Sequence, residues 1–205
     1  SDGWESAAGP NGQPAANPGP APLRHIQFSA ELLRSRVLWS PKGQSEPNEL
    51  LFEGKVRINE AAGSPDGRAL LVVGDRLHVI EALRPEAAVV VTGRPARVEA
   101  RGLGLTGSNI NLNRGTNRLW IEGSGWMDVP IDRDMDGRPL PEPQQVRIDW
   151  KRQMNFDGRT ACFEENVIAA SQTMNLRTES LDVQFDPPIR FAEFTGRTNP
   201  SVEQL

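Results

Sequence analysis

The chain has 205 residues, 27 acidic against 23 basic, and a formal net charge of −4. A nucleic-acid surface needs concentrated positive charge, so this balance argues against a nucleic-acid partner. Hydrophobic residues make up 37%, with 19 Gly and 17 Pro, which points to many turns and a thin core, and the lone cysteine, Cys162, excludes an intrachain disulfide.

Residues 1–22 carry Pro10, Pro14, Pro18, Pro20 and Pro22 among Gly and Ala, and are predicted to be a linker or disordered arm. From Leu23 the texture changes to short apolar runs between turn signals, the pattern of an all-β protein. Strands are predicted at 24–39, 50–59, 69–80, 87–100, 103–113, 117–129, 145–156, 160–170, 174–185 and 189–195. Between them Ser64-Pro65-Asp66-Gly67, Asn113-Arg114-Gly115-Thr116-Asn117, Asp136-Gly137 and Asp157-Gly158 supply tight turns. Helical periodicity is nearly absent. One stretch, Phe28 to Arg36, could form a helical turn, but Val37-Leu38-Trp39 continues it as strand.

The strands alternate. Phe52, Val56 and Ile58 share one face, as do Ile110 and Leu112, Leu119 and Ile121, and Leu181, Val183 and Phe185, with mostly polar neighbours between them. One face is therefore expected to be dry and the other wet, as in an antiparallel sheet with one buried side.

The strongest signal is an internal duplication. Val37, Trp39, Phe52, Glu53 and Val56 recur at an offset of 111 as Ile148, Trp150, Phe163, Glu164 and Val167. Leu77-His78-Val79-Ile80 then matches Leu181-Asp182-Val183-Gln184 at an offset of 104, and Val91-Thr92-Gly93-Arg94 matches Phe194-Thr195-Gly196-Arg197 at 103. The first copy thus carries seven extra residues, placed around the turn at Gly63–Arg68. The expected organisation is a linker at 1–22, a first unit at 23–147 and a second, incomplete unit at 148–205, with the protein continuing past Leu205. All the repeated apolar residues, Trp39 and Trp150 included, are expected along one continuous face.

Phe52-Glu53-Gly54-Lys55-Val56 followed by Leu77-His78-Val79 resembles the F-x-G-x-V … L-x-V signature of the organic-solvent-tolerance (OstA/LptA-like) family. Met154-Asn155-Phe156-Asp157-Gly158 leading into Phe163 and Val167, then Leu176 to Val183, is similar again, as is Gly107 to Leu112 with Leu119 to Gly123. The resemblance covers roughly residues 37–197; each motif is short, and their order and repetition carry the match. It implies a folded-over antiparallel sheet (a β-taco or β-jellyroll) whose apolar groove holds the acyl chains of lipopolysaccharide, with units joined end to end across the periplasm. The chain departs from the simplest members in its Pro/Gly-rich arm and a Pro-rich insertion at 137–143.

The groove implied by the resemblance would be lined by Phe52, Val56, Ile58, Val91, Val98, Ile110, Leu112, Leu119, Ile121, Phe163, Val167, Leu181, Val183 and Phe185. By residue pattern alone a closed core formed by these side chains is the favoured reading, and the resemblance turns it in favour of a groove. No cofactor is expected. The expected partners are lipopolysaccharide or another lipid, and neighbouring β-jellyroll domains through open sheet edges. The family places such a chain in the periplasm or cell envelope, in outer-membrane biogenesis. The alternative is a structural or interaction β module of a larger envelope protein that carries no lipid.

Catalytic constellations are weak. His25 and His78 lie in no nucleophile motif, Cys162 sits in a strand beside Phe163, and one Cys with two His is a poor zinc set, so an enzyme is not expected. Asp132, Asp134, Asp136 and Gly137 match the first half of a calcium loop, but the twelfth position is Pro143, and a solvated hairpin loop is the favoured reading. Twenty Arg against three Lys suit phosphate contacts, yet their scatter along the chain fits base composition as well.

Overall fold

A sheet that is apolar on one side must cover that side, either with a second layer or by folding over on itself. This chain does the latter. The computed structural model describes residues 26–39, 45–60, 70–100, 102–133, 138–172 and 174–191. These form one antiparallel sheet of eleven strands, with no α-helix among the described residues. In chain order they are β1 (Ile26–Ser29), β2 (Leu32–Trp39), β3 (Ser45–Glu60), β4 (Leu71–Ile80), β5 (Ala88–Ala100), β6 (Leu103–Asn113), β7 (Arg118–Arg133), β8 (Pro139–Trp150), β9 (Gln153–Phe156), β10 (Thr160–Ala170) and β11 (Asn175–Gln184).

The order β1-β3-β4-β5-β6-β7-β8-β10-β11 is a meander, with β2 paired to β3, and β9 bridging β7 and β10. β1 with β2, and β8 with β9, are single rungs broken in the middle. Nearly every other rung is interrupted at the matching place. The register shifts between Glu53 and Val56, Val73 and Arg76, Thr92 and Ala96, Gly107 and Asn109, and Glu164 and Val167. These bulges line up rung to rung into a crease, and a β-bulge bends the strand that carries it.

Two of the bulges show how. Gly54 and Lys55 have φ of 77° and 46°, and Glu165 and Asn166 have φ of 69° and 50°. Two consecutive left-handed residues swing the strand between an inward Phe and an inward Val, so the duplicated F-E-x-x-V is a folding instruction. The repeated glutamate lies on the outer face: Glu53 meets Arg34 at 3.3 Å, and Glu164 meets Arg152 at 3.5 Å.

The crease divides the sheet into two arms. Arm I holds β1, 56–60, 71–74, 96–100, 103–107, 125–133, β8, 167–170 and 175–178; arm II holds β2, 45–53, 76–80, 88–92, 109–113, 118–122, β9, 160–164 and 180–184. Their inner faces share one core, with Trp150, Phe163, Ile121, Met154, Val56, Val91 and Val167 its most enclosed side chains. Trp150 donates its indole N–H to the Gly123 carbonyl at 3.0 Å.

Several expectations change. The predicted strands 24–39 and 145–156 are each split at the crease, and the Pro-rich stretch expected as an insertion begins β8 at Pro139. The boundary expected between 147 and 148 falls inside β8, so the two units are repeats within one sheet. Residues 189–191 form no strand. The 111-residue register holds at Phe52/Phe163 and Val56/Val167, and Leu77/Leu181 are matching partners of the two Phe residues. It fails at Trp39/Trp150. Trp39 lies at the tip of a long β2–β3 hairpin and is 75% exposed, whereas Trp150 lies at the crease and is 1% exposed. The cause is hairpin length: β9 turns back at Phe156, while β2 runs on to Trp39. The linker at 1–22, the turn at 63–68, the aspartates 134 and 136 and the 194–197 match lie outside the described residues.

Candidate functional site

All fourteen residues expected on the apolar face lie in, or pack against, the common core. Phe52, Val56, Ile58, Val91, Ile110, Leu119, Ile121, Phe163 and Val167 are buried, and Val98, Leu112, Leu181, Val183 and Phe185 are partly buried against them. Phe52 also stacks on Phe28 of β1 at a centroid separation of 5.6 Å. Along the crease the arms thus fill the slot with their own side chains.

Toward the rim the arms part around a cavity of about 400 Å³. Arm I contributes Ala100, Leu103, Met127, Val129 and Pro130; arm II contributes Leu119, Met154, Phe156 and Ala161. Phe185, Ile189 and Phe191, from the segment after β11, complete the lining. Among the described residues no titratable side chain lines it. Of the fourteen expected residues only Leu119 and Phe185 reach this cavity; the other twelve belong to the packed core.

The residues missed by sequence reasoning had a partial signal. Met127 and Val129 alternate within β7, and Met154 and Phe156 within β9, at the spacing of two that marks one face of a strand. Ile189 and Phe191 also stand two apart, in the predicted strand 189–195, but no strand forms at 189–191, and their place depends on how the chain turns after β11.

That segment is tied down by hydrogen bonds. The Asn117 side-chain amide donates to the Ile189 carbonyl at 2.9 Å and accepts from the Phe191 N–H at 2.8 Å. The Ile189 N–H reaches the Gly158 carbonyl, and the Phe185 N–H the Arg159 carbonyl, both at 2.8 Å. Phe185 and Phe191 each meet Phe156 edge-on at 5.5 Å. The turn that receives this strap is set by Asp157, whose carboxylate accepts the Thr160 and Arg159 N–H groups at 2.8 and 2.9 Å. Those bonds favour the charged carboxylate and hold its pKa below the usual value.

Reactive chemistry is sparse elsewhere. Burial, and then the hydrogen bond and charge of Asp182, push the Cys162 thiol up to about 11, so it stays protonated at neutral pH. His78 is held by Glu49 at 2.6 Å on the outer face. Among the described residues no group of three or more His, Cys, Asp or Glu is placed to hold a metal ion.

Phe28, Leu33, Val37, Leu38 and Trp39 on β1 and β2 are exposed, and neither β1, β2 nor β11 has a second strand neighbour among the described residues. No family model matches the chain, and no curated protein does either.

Proposed function

We propose that the chain is a lipid-binding scaffold, similar in kind to the periplasmic lipopolysaccharide-transport proteins it resembles, that holds an acyl chain between its arms and bridges to further units. The observation that carries this reading is the cavity at the rim, lined by apolar side chains from both arms with no ionisable side chain among the described residues. Each methylene transferred there from water contributes about 0.8 kcal/mol, so six would contribute about 5 kcal/mol without any polar contact. The cavity's size suits one slender chain rather than several. The exposed apolar residues of β1 and β2 support attachment of a neighbouring unit, since an open edge is a template for strand pairing. On this reading the chain works in the periplasm or cell envelope and performs no chemistry on its cargo.

The test is photo-crosslinking to lipopolysaccharide from a reactive residue at Leu119 or Met127, with Val91 in the packed core as control. Adducts at the first two positions and none at Val91 are expected. No adduct at Leu119 or Met127, where a known carrier labels in parallel, would overturn the reading. A second reading, a spacer that carries no lipid, is favoured by the closed packing near the crease; it expects no labelling at any of the three positions.

A further inference from the structure

The crease has an outer side as well. On β6, β7 and β8, Thr106, Trp126 and Asp149 alternate with the inward Leu105, Met127 and Ile148, so they face away from the apolar core. Around them lies a second concavity of about 470 Å³. Gly107 and Gly125, paired across β6 and β7, open its floor to the backbone; Ser124 adds a hydroxyl, and Ser108 another that already donates to the Glu122 carbonyl at 3.2 Å. The Arg94–Pro95 bulge of β5 flanks it on one side, and Lys151, between β8 and β9, on the other.

Three features give this trough a charge preference. Among the described residues its only acid, Asp149, is engaged by Arg147 at 3.4 Å. Arg94 and Lys151 have no carboxylate partner among the described residues, so positive charge is left uncompensated at both ends. Thr106, 6% exposed, borders the trough, and its buried hydroxyl has no hydrogen-bond partner among the described residues, an arrangement that native structures rarely leave unexplained.

Trp126 suggests a stacking platform for a neutral sugar, but its ring is already engaged. The guanidinium carbons of Arg147 and Arg97 stand 4.0 and 5.7 Å from its centroid. What the trough still offers is the Ser124 hydroxyl and two cations that have no carboxylate partner among the described residues, which match the oxygens and charge of an oxyanion.

We propose that this outer trough is a binding site for a phosphate group, separate from the apolar cavity and independent of the lipid reading. The phosphate can be free or carried on a sugar, for which the volume leaves room. The experiment is amide NMR of the full chain at constant ionic strength, titrated with inorganic phosphate, glucose 1-phosphate or glucose, on the native protein and on the double variant Arg94→Gln, Lys151→Gln. Both phosphates are expected to move the Ser108, Ser124 and Gly125 signals, and the double variant to weaken both by roughly tenfold or more, as for hydrogen bonds to charged groups. Unchanged Ile121 and Phe163 signals report that the variant is folded. Tighter binding of glucose 1-phosphate assigns a sugar phosphate, and equal binding assigns the phosphate alone; either supports the site. No shift at these amides with tens of millimolar of either phosphate, an equal response in the double variant, or an equal response to glucose overturns it.

Discussion

Trp150 is the largest of the fully enclosed side chains, and it lies at the crease, at the end of β8. Its ring occupies space that a side chain at Gly125 would need: a Cβ there would fall 2.6 Å from the indole Cζ2, closer than real Cβ contacts come. The opposite side is blocked by the Thr106 backbone. Gly125→Ala is therefore expected to lower stability by about 1–3 kcal/mol, as overpacking of a filled core does. Urea unfolding checks this through a lower midpoint at unchanged slope; a native midpoint would mean the ring has room to move. The sequence places Gly125 inside a strand, 117–129, and gives no hint of this constraint, because the clash is with residues on neighbouring rungs. Trp150 itself stands out by rarity alone, which is why the ungapped register pairs it with the solvent-exposed Trp39.

Elements were legible where turn chemistry bounds them. The strands 103–113 and 160–170 begin and end as the sequence predicts, each followed by polar turn residues. The broken rungs were not legible, for a reason of parity. Phe52 to Val56 and Trp150 to Met154 are both four residues apart, so inward residues resume on the same face after the two-residue crease and the alternation reads as unbroken. The left-handed residues are a better handle. At Gly54 the conformation is free of penalty, whereas Glu165 adopts a φ of 69° with a side chain in place. Glu165→Gly is expected to stabilise the protein by about 1 kcal/mol, since glycine relieves left-handed strain on this exposed bulge. Thermal unfolding checks it: a rise supports the role of the crease residues, and a fall would show that Glu165 makes its own contribution there.

At the scale of the whole molecule, fold class and core were readable, while the cavity was not. Period-two alternation names the inward residues of each strand, but which of them touch each other and which border empty space depends on how far apart the arms stand. The strap from Phe185 to Phe191 helps to set that distance at the rim. Asn117→Ala removes both side-chain hydrogen bonds to it and is expected to cost about 1–2 kcal/mol locally, seen as faster amide exchange at Ile189 and Phe191. Unchanged exchange would assign the hold to the aromatic contacts on Phe156 instead. The aligned bulges also have a mechanical meaning. They interrupt the hydrogen-bond ladder at one place on nearly every rung, so the sheet is two stiff plates joined along a scored line. A rotation about that line would change the width of the rim and leave the strand pairs within each plate intact. On the lipid reading proposed above, a change in that angle would let the rim meet acyl chains of different girth.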